Sequence, residues 1–178
     1  GRKTKQWGFI IEDTGLLRNR LNAQKVAETR NVGFEKFNPT QIRQMALFQY
    51  LIGNSDWDLR VSRNIKYINR AGQYLAIPYD FDFSGFVNAP YAKGNPNFNL
   101  VNVQDRVYLG FPEARSNLEA TIAELQHKQA DLIQIVENFK LLNRSARKEI
   151  IIYLNDYFAN PLAIDTPEQK LLTVKVGD

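Results

Sequence analysis

Residues 54 to 85 decide the fold: Asn54-Ser55-Asp56-Trp57-Asp58-Leu59-Arg60-Val61-Ser62-Arg63-Asn64, then Ile65-Lys66-Tyr67-Ile68-Asn69-Arg70-Ala71-Gly72-Gln73-Tyr74-Leu75-Ala76-Ile77, then Pro78-Tyr79-Asp80-Phe81-Asp82-Phe83-Ser84-Gly85. Ile65–Ile68 and Tyr74–Ile77 are short β-prone runs flanking Arg70-Ala71-Gly72-Gln73, which predicts a β-hairpin. An acidic loop lies on each side of it. Gly53 to Asp58 precedes the hairpin, with Asn64 at its opening; Asp80-Phe81-Asp82 comes after Pro78 has closed the second strand. A hairpin brings its outer ends together, so Asn64 is expected to face the Asp80 region, with Asp56 in the loop just before. Three carboxylates and an amide oxygen converging on one point repel unless a cation sits among them. Hard oxygen ligands of this kind suit Mg²⁺, which commonly takes one or two carboxylates together with phosphates and water.

Upstream, Asn38 is a good N-cap and Pro39 suits the first helical position; Ile42, Met45, Ala46, Tyr50 and Leu51 succeed it at helical spacing until Gly53-Asn54. Further back, Trp7-Gly8-Phe9-Ile10-Ile11 predicts a short buried strand, Leu16, Leu17 and Leu21 a helix, and Val32-Gly33-Phe34 a loop. Downstream, a Pro/Asn/Gly-rich loop runs from Asn88 to Asn99. One or two helices then span about Pro112 to Leu142, with Ile122, Leu125, Leu132, Val136 and Phe139 toward the core. A last helix starts near Ser145, with Ile150, Leu154, Tyr157 and Phe158 on its apolar face. The polar tail, residues 160–178, is expected to be loosely ordered. This order of elements predicts one mainly helical α+β domain over residues 1–178.

Composition narrows the chemistry. With no cysteine and a single histidine, His127, disulfides, cysteine nucleophiles and zinc clusters are excluded. His127 lies in the charged stretch Gln126-His127-Lys128-Gln129, where exposure is the default, which disfavours a Ser-His-Asp triad. The net charge of +4 comes without a dense Lys/Arg block interleaved with aromatics, so nucleic-acid binding is not expected. No apolar run reaches membrane-spanning length. Neither a Walker-type phosphate loop nor a GxGxxG sequence is present. A paired-carboxylate glycosidase using Asp56 and Asp80 lacks any further sign of sugar binding. Phe48, Tyr50, Phe81 and Phe83 read as core aromatics.

Two acidic loops bracketing a hairpin are how protein kinases build a phosphoryl-transfer site: an Asp accepts the substrate proton, and a following Asn and a later Asp bind metal. Leu51-Ile52-Gly53-Asn54-Ser55-Asp56, Asn64-Ile65-Lys66 and Ile77-Pro78-Tyr79-Asp80-Phe81-Asp82 resemble the atypical kinases related to the HipA and CotH proteins, and more remotely the phosphoinositide kinases. Gly8-Phe9-Ile10-Ile11-Glu12 is similar to the CotH-type strand leading to the hinge. The resemblance covers roughly residues 8–86. It implies the C-terminal lobe of a kinase-like fold, with residues 1–13 the last strand and hinge of an otherwise absent N-terminal lobe. It implies an ATP- and Mg²⁺-dependent phosphotransferase acting on an unknown protein or small-molecule acceptor. In that reading Asp56 is the catalytic base, Asn64 and Asp80 are metal ligands, and Asp82 is a second ligand or a partner of the first. Glu12 and Asp13 mark the segment offered to adenine.

One departure bears on these roles. The ordinary kinase pattern places the Asn five residues after the Asp, whereas Asn64 comes eight after Asp56 and six after Asp58. Asp58 is therefore an alternative base, and Trp57 stands where relatives carry Arg or a small residue. The unusual loop also motivates a second reading, a pseudokinase or protein-interaction module that keeps the fold without catalysis. The chain opens on Gly1 rather than Met, so an upstream segment is expected to have been removed. The CotH resemblance leans toward a bacterial secreted or cell-envelope setting.

Overall fold

The computed structural model describes residues 10–115 and 117–161. Five helices and one two-stranded antiparallel hairpin are found among them, a mainly helical α+β arrangement. The first helix, α1 (Thr14–Arg20), is capped by Asp13, whose Oδ1 accepts hydrogen bonds from the backbone N–H of Gly15 (2.7 Å) and Leu16 (3.3 Å). The chain then reaches a 3-10 turn at Phe34–Lys36 and enters α2 (Pro39–Leu51). Asn38 caps α2 through Gln41 N–H at 2.9 Å, with Pro39 in its first turn. Ile42, Met45, Ala46, Leu47, Tyr50 and Leu51 are all buried, as is Gln49. A helix buried on this many sides belongs at the centre of the domain, and α2 delivers the first acidic loop from the core.

The hairpin consists of β1 (Ile65–Arg70) and β2 (Gln73–Pro78), in register from Ile65 opposite Pro78 to Arg70 opposite Gln73. The strands run further toward the tip than expected, leaving only Ala71-Gly72 as the turn. Both have positive φ, 53° and 84°, the geometry of a tight hairpin turn. Side chains and neighbouring backbone close the outer edges. Gln41 on α2 pairs with Ala76 like a strand, its Nε2 donating to Ala76 O at 2.7 Å and its Oε1 accepting from Ala76 N at 3.0 Å. Gln24 exchanges backbone hydrogen bonds with Asn69 at 2.7 and 3.0 Å. So short a ribbon is stable only because α2 backs one strand and Gln24 the other.

The remaining helices are α3 (Leu118–His127), α4 (Gln129–Asn138) and α5 (Arg144–Ala159). Asn143 caps α5, so the helix begins one residue before the expected start. Ile122, Val136, Leu154, Tyr157 and Phe158 join the core. Three expectations need correction. Phe139 lies just past α4 and is 47% exposed, because the helix stops before turning it inward. Phe48 and Phe83 are each more than a third exposed rather than core, while Tyr50 is buried. Ile10 and Ile11 form no strand and stand exposed, Ile10 at 99%. The rest of that expected strand, and the tail from residue 162, lie outside the described residues.

Candidate functional site

The site is built where α2 runs out. Gly53 (φ 60°) turns the chain out of the helix, and the buried Asn54 anchors the first acidic loop. Asn54 Nδ2 donates to Gln49 Oε1 at 3.0 Å, its Oδ1 accepts Asp56 N–H at 2.9 Å, and its carbonyl accepts the Trp57 indole N–H at 3.0 Å. Trp57 is thus a buried brace for the loop. From there the chain makes a closed excursion. Asp58 and Arg63 exchange backbone hydrogen bonds at 3.2 and 3.0 Å, so residues 59–62 leave and return at one point. This excursion accounts for the long spacing: Asp56 and Asn64, eight apart in sequence, still meet. Asn64 Nδ2 donates to the Asp56 carbonyl at 2.7 Å and to Asp56 Oδ2 at 3.0 Å. Arg63 reaches Asp56 Oδ1 at 3.4 Å.

Asp58 is occupied differently. Its Oδ1 accepts Arg60 N–H at 2.7 Å and its Oδ2 pairs with the Arg60 guanidinium at 3.2 Å. Burial raises its pKa, but the hydrogen bonds and charge of Arg60 outweigh that and hold the carboxyl below the usual range. Asp58 is a turn former, facing its own excursion.

Across the hairpin mouth, Tyr79 N–H donates to Asn64 O at 3.0 Å, extending the ladder by one rung. The next residue, Asp80, takes the left-handed conformation (φ 60°), as does Asn64 (φ 54°). Non-glycine residues hold that geometry at a cost, and such positions concentrate at functional sites. Lost hydration first, then the facing Asp82 carboxylate and its hydrogen bond, then the Asp56 charge, raise the Asp80 carboxyl above its ordinary value. Tyr91 donates to Asp82 Oδ2 at 3.1 Å. The second loop is sewn to the first: Gly85 N–H donates to Gly53 O and Phe86 N–H to Ile52 O, both at 3.0 Å. Behind this seam the Tyr153 hydroxyl of α5 presses against Gly53 and Gly85, leaving no room for a side chain at either.

Asp80 and Asp82 line a cleft of about 540 Å³ together with Glu12, Lys66, Tyr79 and Arg20. Glu12 turns its carboxylate to Arg20 (2.7 and 2.9 Å) and its carbonyl to the Lys66 ammonium. Asp13 stays out of the cleft lining, its carboxylate consumed in capping α1. The fold therefore yields two subsets: Asp56 hydrogen-bonded to Asn64, and Asp80 beside Asp82 in a cleft with Glu12. Among the described residues, no group of three or more acidic or histidine side chains is arranged to hold a metal ion. The full three-carboxylate convergence expected from the sequence is reduced to a pair of carboxylates that feels the third at longer range. Sequence reasoning gave no role of their own to Lys66, Asn54 and Tyr91. A lysine within the apolar run Ile65–Ile68 was the signal for the first. Compared with known proteins, the chain matches no family model, no curated protein and no solved structure.

Proposed function

We propose that the hairpin and its two acidic loops are the catalytic half of a kinase-like, ATP- and Mg²⁺-dependent phosphotransferase, a C-terminal-lobe arrangement acting on a hydroxyl acceptor. The observation that carries this reading is the amide of Asn64, which holds both the carbonyl and the carboxylate of Asp56 at the base of the hairpin that presents Asp80. That clamp fixes one carboxylate oxygen and sets the orientation a general base needs. Asp56 would take the acceptor's proton; Asp58, committed to Arg60, is the poorer choice. Glu12 would lie beside the nucleotide's base in the cleft, whereas Asp13 serves the helix cap.

The carboxylates suit a divalent cation without a third acid. Mg²⁺ commonly takes one or two protein carboxylates and completes its shell with water and phosphate. Lost hydration first, and then the facing Asp82 carboxylate, raise the Asp80 carboxyl, and a cation beside the pair would offset both. Asp80 and Asp82, with the Asn64 amide oxygen, would hold the ion, and its chemistry would be to neutralise phosphate oxygens.

Radiolabelled phosphate transfer from ATP tests the proposal. Asp56→Asn should lower transfer by at least about a hundredfold while sparing Mg-ADP binding. Asp80→Asn should lose both. Unchanged turnover in both variants rejects the reading. The Arg63 guanidinium, which occupies the Asp56 carboxylate oxygen that Asn64 leaves open, favours the second reading: a pseudokinase or interaction module. In that case Mg-ATP neither raises the melting temperature nor is consumed, while a protein partner still binds.

A further inference from the structure

Lys66 stands one rung inside the hairpin mouth, paired with Ile77 on β2. Its ammonium enters the cleft, donates to the Glu12 carbonyl and lies 5.3 Å from the centre of the Tyr79 ring. Both are partial charges only. Among the described residues, no carboxylate comes within ion-pair distance of it, because Glu12 spends its carboxylate on Arg20. The two cations of the cleft therefore differ: Arg20 has a carboxylate in contact, whereas Lys66, half-buried, feels the charges of Glu12 and Asp13 only from beyond ion-pair distance. A partly desolvated cation with no anion in contact is only partly compensated, and an anionic group entering the cleft would lower that cost. The same cleft holds the Asp80–Asp82 pair, which repels a bare anion but accepts one that brings a divalent cation. Ile10, Ile11, Leu17 and Val87 supply apolar wall for a flat or apolar body.

We propose that Lys66 is an anion-binding residue that takes a phosphate oxygen of a polyphosphate ester. The cation accompanying that ester would sit at Asp80 and Asp82, which rests on the reading above; the Lys66–phosphate contact itself does not require catalysis. Lys66 lines the cleft, and its ammonium has N–H donors beyond the one given to the Glu12 carbonyl.

Calorimetry on the 178-residue chain tests it with three probes, all with Mg²⁺ present: ADP, adenosine and tripolyphosphate. The informative variant is Lys66→Gln, which can still donate to the Glu12 carbonyl but carries no charge; Lys66→Arg keeps the charge. Lys66→Gln should weaken Mg-ADP and tripolyphosphate by roughly tenfold or more, leave adenosine unchanged, and be rescued by Lys66→Arg. Equal Mg-ADP affinity in wild type and Lys66→Gln overturns the assignment while leaving the kinase-like reading standing. Lys66-dependent binding of tripolyphosphate without binding of Mg-ADP supports the assignment and removes the nucleotide reading. Binding of neither overturns both. Should Lys66→Gln unfold, acylation of Lys66 in the wild-type chain serves instead. Mg-ADP and tripolyphosphate should slow it and adenosine should not; equal acylation rates in all conditions count against the proposal.

Discussion

The two acidic loops meet at one hairpin mouth, yet they are held by opposite means. In the first, Asn54, Trp57 and Asn64 pair their side-chain N–H groups with oxygens of Gln49, Asn54 and Asp56, and the excursion over residues 58–63 closes on itself. In the second, Asp80 sits at positive φ against Asp82, its carboxyl pushed upward, and the Tyr91 hydroxyl is the donor that reaches the pair. These hydrogen bonds between neutral groups fix a position without a charge of their own, and the loop's carboxylates, Asp56 and Asp58, each have an arginine beside them. Facing carboxylates store repulsion that a proton or a cation relieves. Position and charge demand are thus supplied separately: folding alone satisfies the first loop, and the second keeps a repulsion that a cation would relieve.

Cutting the seam that joins the loops should disturb both at once. Gly53→Ala puts a methyl onto the Tyr153 hydroxyl and forces an alanine to φ 60°. The steric and conformational terms together should cost about 2–4 kcal/mol in urea unfolding. The Tyr153 hydroxyl is buried and has no hydrogen-bond partner among the described residues, so Tyr153→Phe alone should be close to neutral. Added to Gly53→Ala it should recover the steric part and leave the conformational part. No recovery would mean the hydroxyl is not what excludes a side chain there.

Removing the clamp separates the loops more gently. Asn64→Gly tolerates the same left-handed backbone and deletes only the side chain. Losing the two hydrogen bonds to Asp56 should cost about 1–2 kcal/mol. On the proposed function it should also impair phosphate transfer by more than that stability loss explains, because the base would lose its orientation. A fully active Asn64→Gly would reduce the first loop to scaffold.

Legibility in the sequence divides along a similar line, between local and distant causes. The hairpin, the cap at Asn38 and the helix ending at Gly53 are local patterns, each carried by a few adjacent residues, and the fold keeps them. The eight-residue gap from Asp56 to Asn64 resisted reading because the closure of Asp58 on Arg63 depends on backbone geometry that residue types do not encode. Asp13 and Glu12 look alike as a pair of acids at a helix start. Only the three-dimensional arrangement assigns one to the cap and turns the other to Arg20. The Lys66 environment is likewise set by residues distant in sequence: Glu12 comes from outside the hairpin altogether.

The second loop can be probed through protons. An Asp80 carboxyl raised above its ordinary value of 3.8 holds more protons folded than unfolded across that window. Stability is therefore lost as pH rises from about 3.8 through the folded value, and the deficit persists at neutral pH. Asp80→Asn should raise stability at pH 7, by less than about 1 kcal/mol because the carboxyl is only partly buried and water still screens it. It should make no difference below the window. Mg²⁺ should raise the melting temperature of the wild type and not of Asp80→Asn; equal responses would deny the pair its role.

The mildest change belongs to the first loop's excursion, and its value lies in its sign. Asp58 is held below its ordinary range by Arg60, so its contribution is present above the unfolded value of 3.8 and lost as pH falls through the folded one. Arg60→Ala removes the guanidinium contact at 3.2 Å but keeps the backbone hydrogen bond at 2.7 Å. The cost at pH 7 should be no more than about 0.5 kcal/mol, fading toward zero in acid. Asp80→Asn, by contrast, changes stability in the opposite direction over the adjoining pH range. Paired pH titrations of the two variants would therefore diverge from the wild type with opposite signs. Curves that moved together would show that the two loops share one electrostatic environment, and the separation of position from charge demand would have to be given up.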